Sequence, residues 1–323
     1  MALPVLSIVT PAYNEAENLP RLYSRICSLD WGALGFDFEF VVVDDHSTDG
    51  SADLIARMAA TDPRVRSLRF SRNFGSHAAL TAGLEHAMGV AAVVLAADLQ
   101  DPPETIPSLV EAWRGGAATV WAVRGEREGE SLRTRMAARL FYLLIRRLTR
   151  MSVPPDGVDF FLVDRSVIEA LRMIPETNTS LIAQIQWLGF SQSSFVYTKE
   201  ARGAGRSKWT LAKRIKLSID WIVGFSYFPI RFMSTLGISF AVLGMVYAVF
   251  LIIRRFIFTV PVEGWTSLIS VVLITSGVQL AMLGVLGEYL WRSFDASRRR
   301  PRFIIERVLG PDGPRSGAPE RKQ

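Results

Sequence analysis

Up to Glu200 the chain alternates short runs of β-branched and aromatic residues with stretches whose apolar positions recur at helical spacing. That alternation predicts an α/β fold, a mostly parallel sheet covered by helices. Strands are expected at Val5 to Tyr13 (VLSIVTPAY), Phe38 to Asp45 (FEFVVVDD), Val65 to Ser71 (VRSLRFS), Ala91 to Asp98 (AAVVLAAD) and Ala118 to Arg124 (ATVWAVR). SADLIARMAA and HAALTAGLEHAM read as helices between them. Asn14, with Glu17 three residues later, reads as a capping box that opens the first helix.

Past residue 208 the pattern changes. FMSTLGISFAVLGMVYAVFLII (Phe232 to Ile253) and GWTSLISVVLITSGVQLAMLGVLG (Gly264 to Gly287) carry no charge, and each is close to the roughly 20 residues that cross a bilayer. They are expected to form two transmembrane helices within 232–291. Lys208, Lys213, Arg214, Lys216 and Arg231 precede the first, and Arg292, Arg298, Arg299, Arg300 and Arg302 follow the second. The positive-inside rule then puts both flanks in the cytoplasm, with Arg254 and Arg255 of the short link snorkelling to headgroups. Residues 209–231 mix cations with Leu, Ile, Phe and Trp, as an interfacial helix does. Met136 to Arg150 has the same mixture and reads equally as a helix packed on the sheet. The expected organisation is a cytoplasmic domain over 1–208, the interfacial helix, the two spans, a basic segment over 292–309, and a disordered tail over 310–323. RPRFIIERV in the basic segment is able to add an edge strand to a neighbouring chain.

Composition narrows the chemistry. The chain has 323 residues, a net charge of +6, one cysteine and three histidines, so neither a disulfide framework nor a zinc cluster can be written. Any metal must bind oxygen ligands. The opening MALPVLSIVTPAYNE lacks the basic start and long apolar run of a signal peptide.

In open sheets of this class ligands collect at the carboxyl ends of the strands. Those ends read Tyr13-Asn14-Glu15, Asp44-Asp45, Ser71-Arg72-Asn73 and Asp98-Leu99-Gln100-Asp101. Asp98 and Gln100 offer hard oxygens to Mg²⁺ or Mn²⁺, ions that keep waters and take remaining ligands from substrate phosphates. Read alone, DLQD is equally a helix cap or a solvated loop. Asp44 and Asp45 can accept from a base N–H or a ribose hydroxyl, whereas His46, Ser47, Thr48 and Asp49 read as turn and cap residues. Downstream, Asp159 follows the loop SVPPDG, and Arg202, Arg206 and Lys208 in ARGAGRSKW form an anion clamp or a general polybasic patch for headgroups.

PAYNEAENLP, VVVDDHSTDGS, SRNFG, ADLQDPPE, VDFFLVDR and GRSKW, followed by a hairpin of spans ending GVLGEYL, together resemble the family-2 glycosyltransferases that charge polyisoprenyl phosphates. These are the dolichol-phosphate mannose synthase and bactoprenol glucosyltransferase (GtrB-like) group, and the likeness runs over about residues 4 to 308. It implies a GT-A domain that binds a nucleotide sugar and Mg²⁺ or Mn²⁺ on the cytoplasmic face. It places Pro11, Ala12, Tyr13, Glu15, Asp44, Asp45 and Asn73 at the nucleotide sugar, and Asp98 and Gln100 at the metal. Asp159 falls at the catalytic acid facing the acceptor, and Arg202, Arg206 and Lys208 at the phosphates. Three positions depart from the pattern: Ala96 replaces the first metal-site Asp, His46 a Gly, and Phe161 an Arg.

The resemblance implies inverting transfer of a hexose from a UDP-sugar, glucose first, to undecaprenyl phosphate at the bacterial inner membrane. The expected partners are those two substrates, membrane lipids and further copies of the chain in a homo-oligomer such as a tetramer, with no nucleic acid. Two alternatives remain open: a membrane-anchored pseudoenzyme that takes Ala96 at face value, and a polysaccharide synthase.

Overall fold

A computed structural model describes residues 3–125, 160–174, 176, 180–198, 200, 223, 226, 228–257, 264–310 and 315–316. Two compact units result: Met1–Arg214 with Pro301–Gln323, and Ile215–Arg300.

The first unit is built on one sheet. Its strands are β1 (Val5–Ala12), β2 (Asp37–Asp44), β3 (Val65–Phe70), β4 (Ala91–Val94), β5 (Thr119–Arg124), β6 (Phe161–Asp164), β7 (Gln192–Tyr197), β8 (Ile305–Leu309) and β9 (Arg315–Ser316). They lie in the order β7-β5-β6-β4-β1-β2-β3-β8-β9. β1 to β4 are mutually parallel, while β6 runs antiparallel between β4 and β5. The chain lays β1, β2 and β3 in one direction and returns to place β4 on the other side of β1. The carboxyl ends of β1 and β4 therefore flank a topological switch point, where such sheets bind ligands.

Its helices among the described residues are α1 (Leu19–Cys27), α2 (Trp31–Leu34), α3 (Ser51–Thr61), α4 (Ser76–His86), α5 (Ile106–Arg114), α6 (Arg165–Arg172) and α7 (Leu181–Trp187), with a 3₁₀ turn at Pro103–Thr105. Strand alternation divides the core between the faces of the sheet. Phe40 and Val42 of β2 join Leu22, Ile26 and Ile55, whereas Val41 and Val43 join Ala79, Ala82 and Leu84. Burying each large aliphatic side chain contributes roughly 1.5–3 kcal/mol over leaving it exposed. Gly83 lets α4 approach β1 closely, because a Cβ there would stand 2.3 Å from Val9 Cγ1.

Two expectations need correction. No capping box opens α1: the helix begins at Leu19, and Asn14 has a left-handed φ of 57°. The Asn14 side chain is turned instead to the loop after β2, where it accepts the Thr48 N–H. β4 does not run to Asp98 but stops at Val94. Leu95 donates its N–H to the Val9 carbonyl, and the next rung toward β1 would need an N–H on Pro11, which has none. Pro11 thus ends the β1–β4 ladder at the switch point.

RPRFIIERV does form a strand, β8, but adds it antiparallel to the chain's own β3. Within the stretch expected to be a disordered tail, β9 pairs with β8. Residues 136–150 and 209–222 lie outside the described residues.

The second unit carries α8 (Phe228–Ile257) and α9 (Trp265–Ser297). Both are long and apolar enough to cross a membrane, over Phe228–Leu251 and Ser267–Ser297. Each outruns the apolar stretch read from sequence: α8 starts within the segment assigned to the interfacial helix, and α9 continues past Gly287 into its basic end.

Candidate active site

The loops after β1, β2 and β4 share a backbone peculiarity. Among the described residues four non-glycine positions have positive φ, and three of them are Asn14 (57°), His46 (63°) and Leu99 (61°). Each sits in the loop following one of three neighbouring strands, beside the switch point. Such conformations persist only where the surroundings over-determine them, and they concentrate at functional sites.

The first two loops are stitched together. Asn14 N–H donates to Ser47 Oγ (2.9 Å), Glu15 N–H to Ser51 Oγ (3.0 Å) and Ala16 N–H to Asp49 Oδ2 (3.1 Å). Burial pushes the Asp49 carboxyl upward, but hydrogen bonds from Ser51 and the Ala16 N–H outweigh it, and the net shift is down. Ser47 and Asp49 lie in the turn, though Gly50 rather than a side chain caps α3, and with Ser51 they fix the backbone of Asn14 to Ala16. Sequence spacing gave no signal of this bracing. Tyr13 is exposed, Ala12 is buried, and the Glu15 carboxylate accepts from Asn18 Nδ2 at 2.7 Å.

The two consecutive aspartates have different duties. Asp44 is 1% exposed; it accepts the Ser47 N–H at 2.9 Å and pairs with Arg69 Nη1 at 3.1 Å. Asp45 accepts the N–H groups of Phe74 (2.7 Å) and Gly75 (2.9 Å), which fixes the SRNFG loop with Asn73 exposed on it. Burial raises the Asp45 pKa, the two N–H groups oppose it, and the neighbouring Asp44 charge adds to the rise. His46 holds the turn: its Nδ1 lies 3.1 Å from the Phe70 carbonyl, an acceptor, so that nitrogen carries the proton. Its positive φ explains why glycine suits this position in the resembling pattern.

Past β4 the chain turns at Asp98, whose Oδ1 accepts the Gln100 N–H at 3.2 Å. Leu99 buries its side chain while Asp98 and Gln100 on either side are partly exposed. Asp101 is fully buried and accepts from the Tyr197 hydroxyl of β7. Among the described residues no three His, Cys, Asp or Glu side chains gather as a metal cluster. The donor set of Asp98 and Gln100 still fits a hard divalent cation in its chemistry, because two hard oxygen donors suffice when a diphosphate and waters complete the shell.

Asp159, Arg202, Arg206 and Lys208 lie outside the described residues. Phe160, next to Asp159, is fully buried edge-on to Tyr197. Phe161 packs against Trp121 with ring centroids 5.2 Å apart, so the position that departs from the resembling pattern is filled by core.

A mostly parallel sheet with β6 inserted antiparallel and β8 added antiparallel toward one edge, and acidic loops gathered at its switch point, defines a GT-A glycosyltransferase domain. The chain belongs to glycosyl transferase family 2, whose profile matches residues 7–172. It is similar to an uncharacterized glycosyltransferase, YkcC, of Bacillus subtilis, with 37% identity over 94% of each chain. It is similar at 36% identity to the bactoprenol glucosyl transferase of Shigella phage SfV, over 93% of this chain and 98% of that one. A mannosyltransferase of Pyrobaculum calidifontis, solved with GDP-Man and Mn²⁺, aligns over 90% of this chain and 88% of its own at 18% identity and a TM-score of 0.45.

Proposed function

We propose that this glycosyltransferase moves one hexose, glucose first, from a UDP-sugar to undecaprenyl phosphate, with inversion, at the cytoplasmic face of the bacterial inner membrane. The observation that carries the reading is full-length similarity to a bactoprenol glucosyl transferase, spans included, at 36% identity. The basic flanks of both apolar helices support a cytoplasmic catalytic domain in a multi-pass chain.

The chemistry follows from charge. A lipid monophosphate with a second pKa near ~6 is largely dianionic at neutral pH and attacks the anomeric carbon without strong base help. Orientation and charge balance are the harder tasks. Tyr13, Glu15 and Asp45 hold the nucleoside on the braced loops, with Asn73 beside them and Asp44 supporting the turn. Asp98 and Gln100 would hold Mg²⁺ or Mn²⁺, which when bound supplies positive charge against the departing diphosphate. Arg202, Arg206 and Lys208 neutralise the acceptor and leaving phosphates, and Asp159 orients the acceptor beside the sugar. In-line attack on an α-linked donor gives a β-linked lipid phosphate sugar.

A panel of radiolabelled UDP-sugars, offered to membranes holding the protein with undecaprenyl phosphate, tests the reading. Label from UDP-glucose should move into the organic phase. No transfer from any sugar would instead favour a pseudoenzyme, a reading kept by Ala96 standing where the first metal-site acid is absent.

A further inference from the structure

The Asp98–Gln100 turn is held in place from outside, and the last fastening is ionic. Arg25, in the final turn of α1, donates through Nε and Nη2 to both oxygens of Glu104, at 2.9 and 2.6 Å. The same guanidinium donates through Nη1 and Nη2 to both oxygens of Glu200, at 3.1 and 2.9 Å. Glu104 lies in the 3₁₀ turn that follows the Asp98–Gln100 loop. Glu200 lies beyond β7, and its N–H donates to the Gln100 carbonyl at 2.8 Å.

We propose that Arg25 is a positioning residue for sugar transfer: by drawing Glu104 and Glu200 onto one guanidinium, it holds the Asp98–Gln100 turn in the form that presents both side-chain oxygens to a divalent cation. The proposal rests on the reading of Asp98 and Gln100 as cation ligands.

Three observations lead to it. The turn contains Leu99 at a φ of 61°, a conformation a leucine leaves unless it is held. Fastenings among the described residues include Tyr197 on Asp101, the Glu200 N–H on Gln100, and Arg25 joining Glu104 to Glu200. Finally, the two glutamates are like charges on separate segments, and the Arg25 guanidinium stands between their carboxylates. Without Arg25 they repel, Glu200 withdraws, and the Gln100 carbonyl loses its partner. An isolated exposed ion pair contributes little to stability, so the effect falls on the local turn rather than on global folding. Arginine suits the task because a planar fork can engage two carboxylates at once, which an ammonium cannot do in the same geometry.

The test is Mn²⁺ binding to the full-length protein in detergent with UDP present, followed by electron paramagnetic resonance, alongside thermal unfolding. Arg25→Ala is expected to weaken Mn²⁺ about tenfold while the unfolding midpoint stays near that of wild type. In turnover, the Mn²⁺ concentration for half activity rises and kcat at saturating Mn²⁺ is largely recovered. Adding Glu200→Gln to Arg25→Ala removes the repulsion and moves Mn²⁺ affinity back toward wild type, while Arg25→Lys restores it only in part. Equal Mn²⁺ affinity in wild type and Arg25→Ala overturns the proposal and leaves the cation site standing. A parallel drop in unfolding midpoint with no rescue by Glu200→Gln overturns it in favour of a merely structural pair. Absence of UDP-dependent Mn²⁺ binding in wild type itself sinks the cation site and this proposal together.

Discussion

Arg69 Nη1 donates to Asp44 Oδ2 across 3.1 Å, and it is the ion-pair partner of a carboxylate that is almost wholly buried. Arg69 also reaches Glu306 of β8 through Nε at 3.3 Å, so the strand that returns after the last apolar helix braces the acidic pair. Removing one partner of a buried pair strands the other charge, at a cost of about 3–5 kcal/mol in full burial. Arg69 is itself about a quarter exposed, and solvent screening reduces the expected loss for Arg69→Met to about 2 kcal/mol. Chemical denaturation in detergent measures it. A loss under about 0.5 kcal/mol would mean that Asp44 does not depend on this partner.

Pro11 should act as a spacer between β1 and β4. Pro11→Ala restores an N–H facing β4 and allows one more rung, which draws the strands together where the crevice opens. UDP affinity by isothermal titration is expected to fall about tenfold with folding intact. Unchanged affinity would show that the gap is set elsewhere.

His46 occupies a left-handed turn position and bonds the Phe70 carbonyl, so its substitutions should sort by backbone. His46→Gly relieves the positive φ but loses the bond to Phe70, leaving stability within about 1 kcal/mol of wild type. His46→Val places a β-branched residue in the left-handed region and should cost about 2 kcal/mol. The pH profile of transfer should keep its shape in His46→Gly; loss of one limb of that profile would reassign His46 to proton transfer.

Asp45 links stability to pH in the direction opposite to Asp49, Asp62, Glu104 and Asp164. Its pKa is raised from 3.8 by burial, so the native state takes up this proton at higher pH than the unfolded chain. The cost of keeping Asp45 ionised is therefore relieved as pH falls through its native pKa. Glu104 has the other sign: the Arg25 hydrogen bonds lower its pKa below 4.5, and its contribution is lost only as pH falls through that lower value. Between about pH 7 and about pH 4, unfolding free energy of wild type relative to Asp45→Asn should rise on acidification. A flat difference would show that Asp45 is not strained by its surroundings.

Local pattern made much of the fold legible. FEFVVVDD and VRSLRFS are strands because their alternation serves two buried faces, and they lie within a residue or so of where periodicity puts them. The acids at strand ends were legible for the same reason, since a buried run must stop where charge begins. The shortened β4 was not, because it depends on a missing amide hydrogen in a different strand. Nor was the role of Asn14, whose partners lie 33 and 34 positions away. Arg25 and Tyr197 gave no signal, because each acts on residues that only the closed sheet brings near.

The most direct measurement follows transfer of labelled glucose from UDP-glucose to undecaprenyl phosphate by wild type and by Asp98→Ala, both purified in detergent with Mn²⁺ or Mg²⁺. Cation-dependent transfer by wild type, reduced on the order of a hundredfold or more in Asp98→Ala with unfolding unchanged, is the predicted result. Equal rates in the two proteins, or no cation-dependent transfer by wild type, would contradict the account.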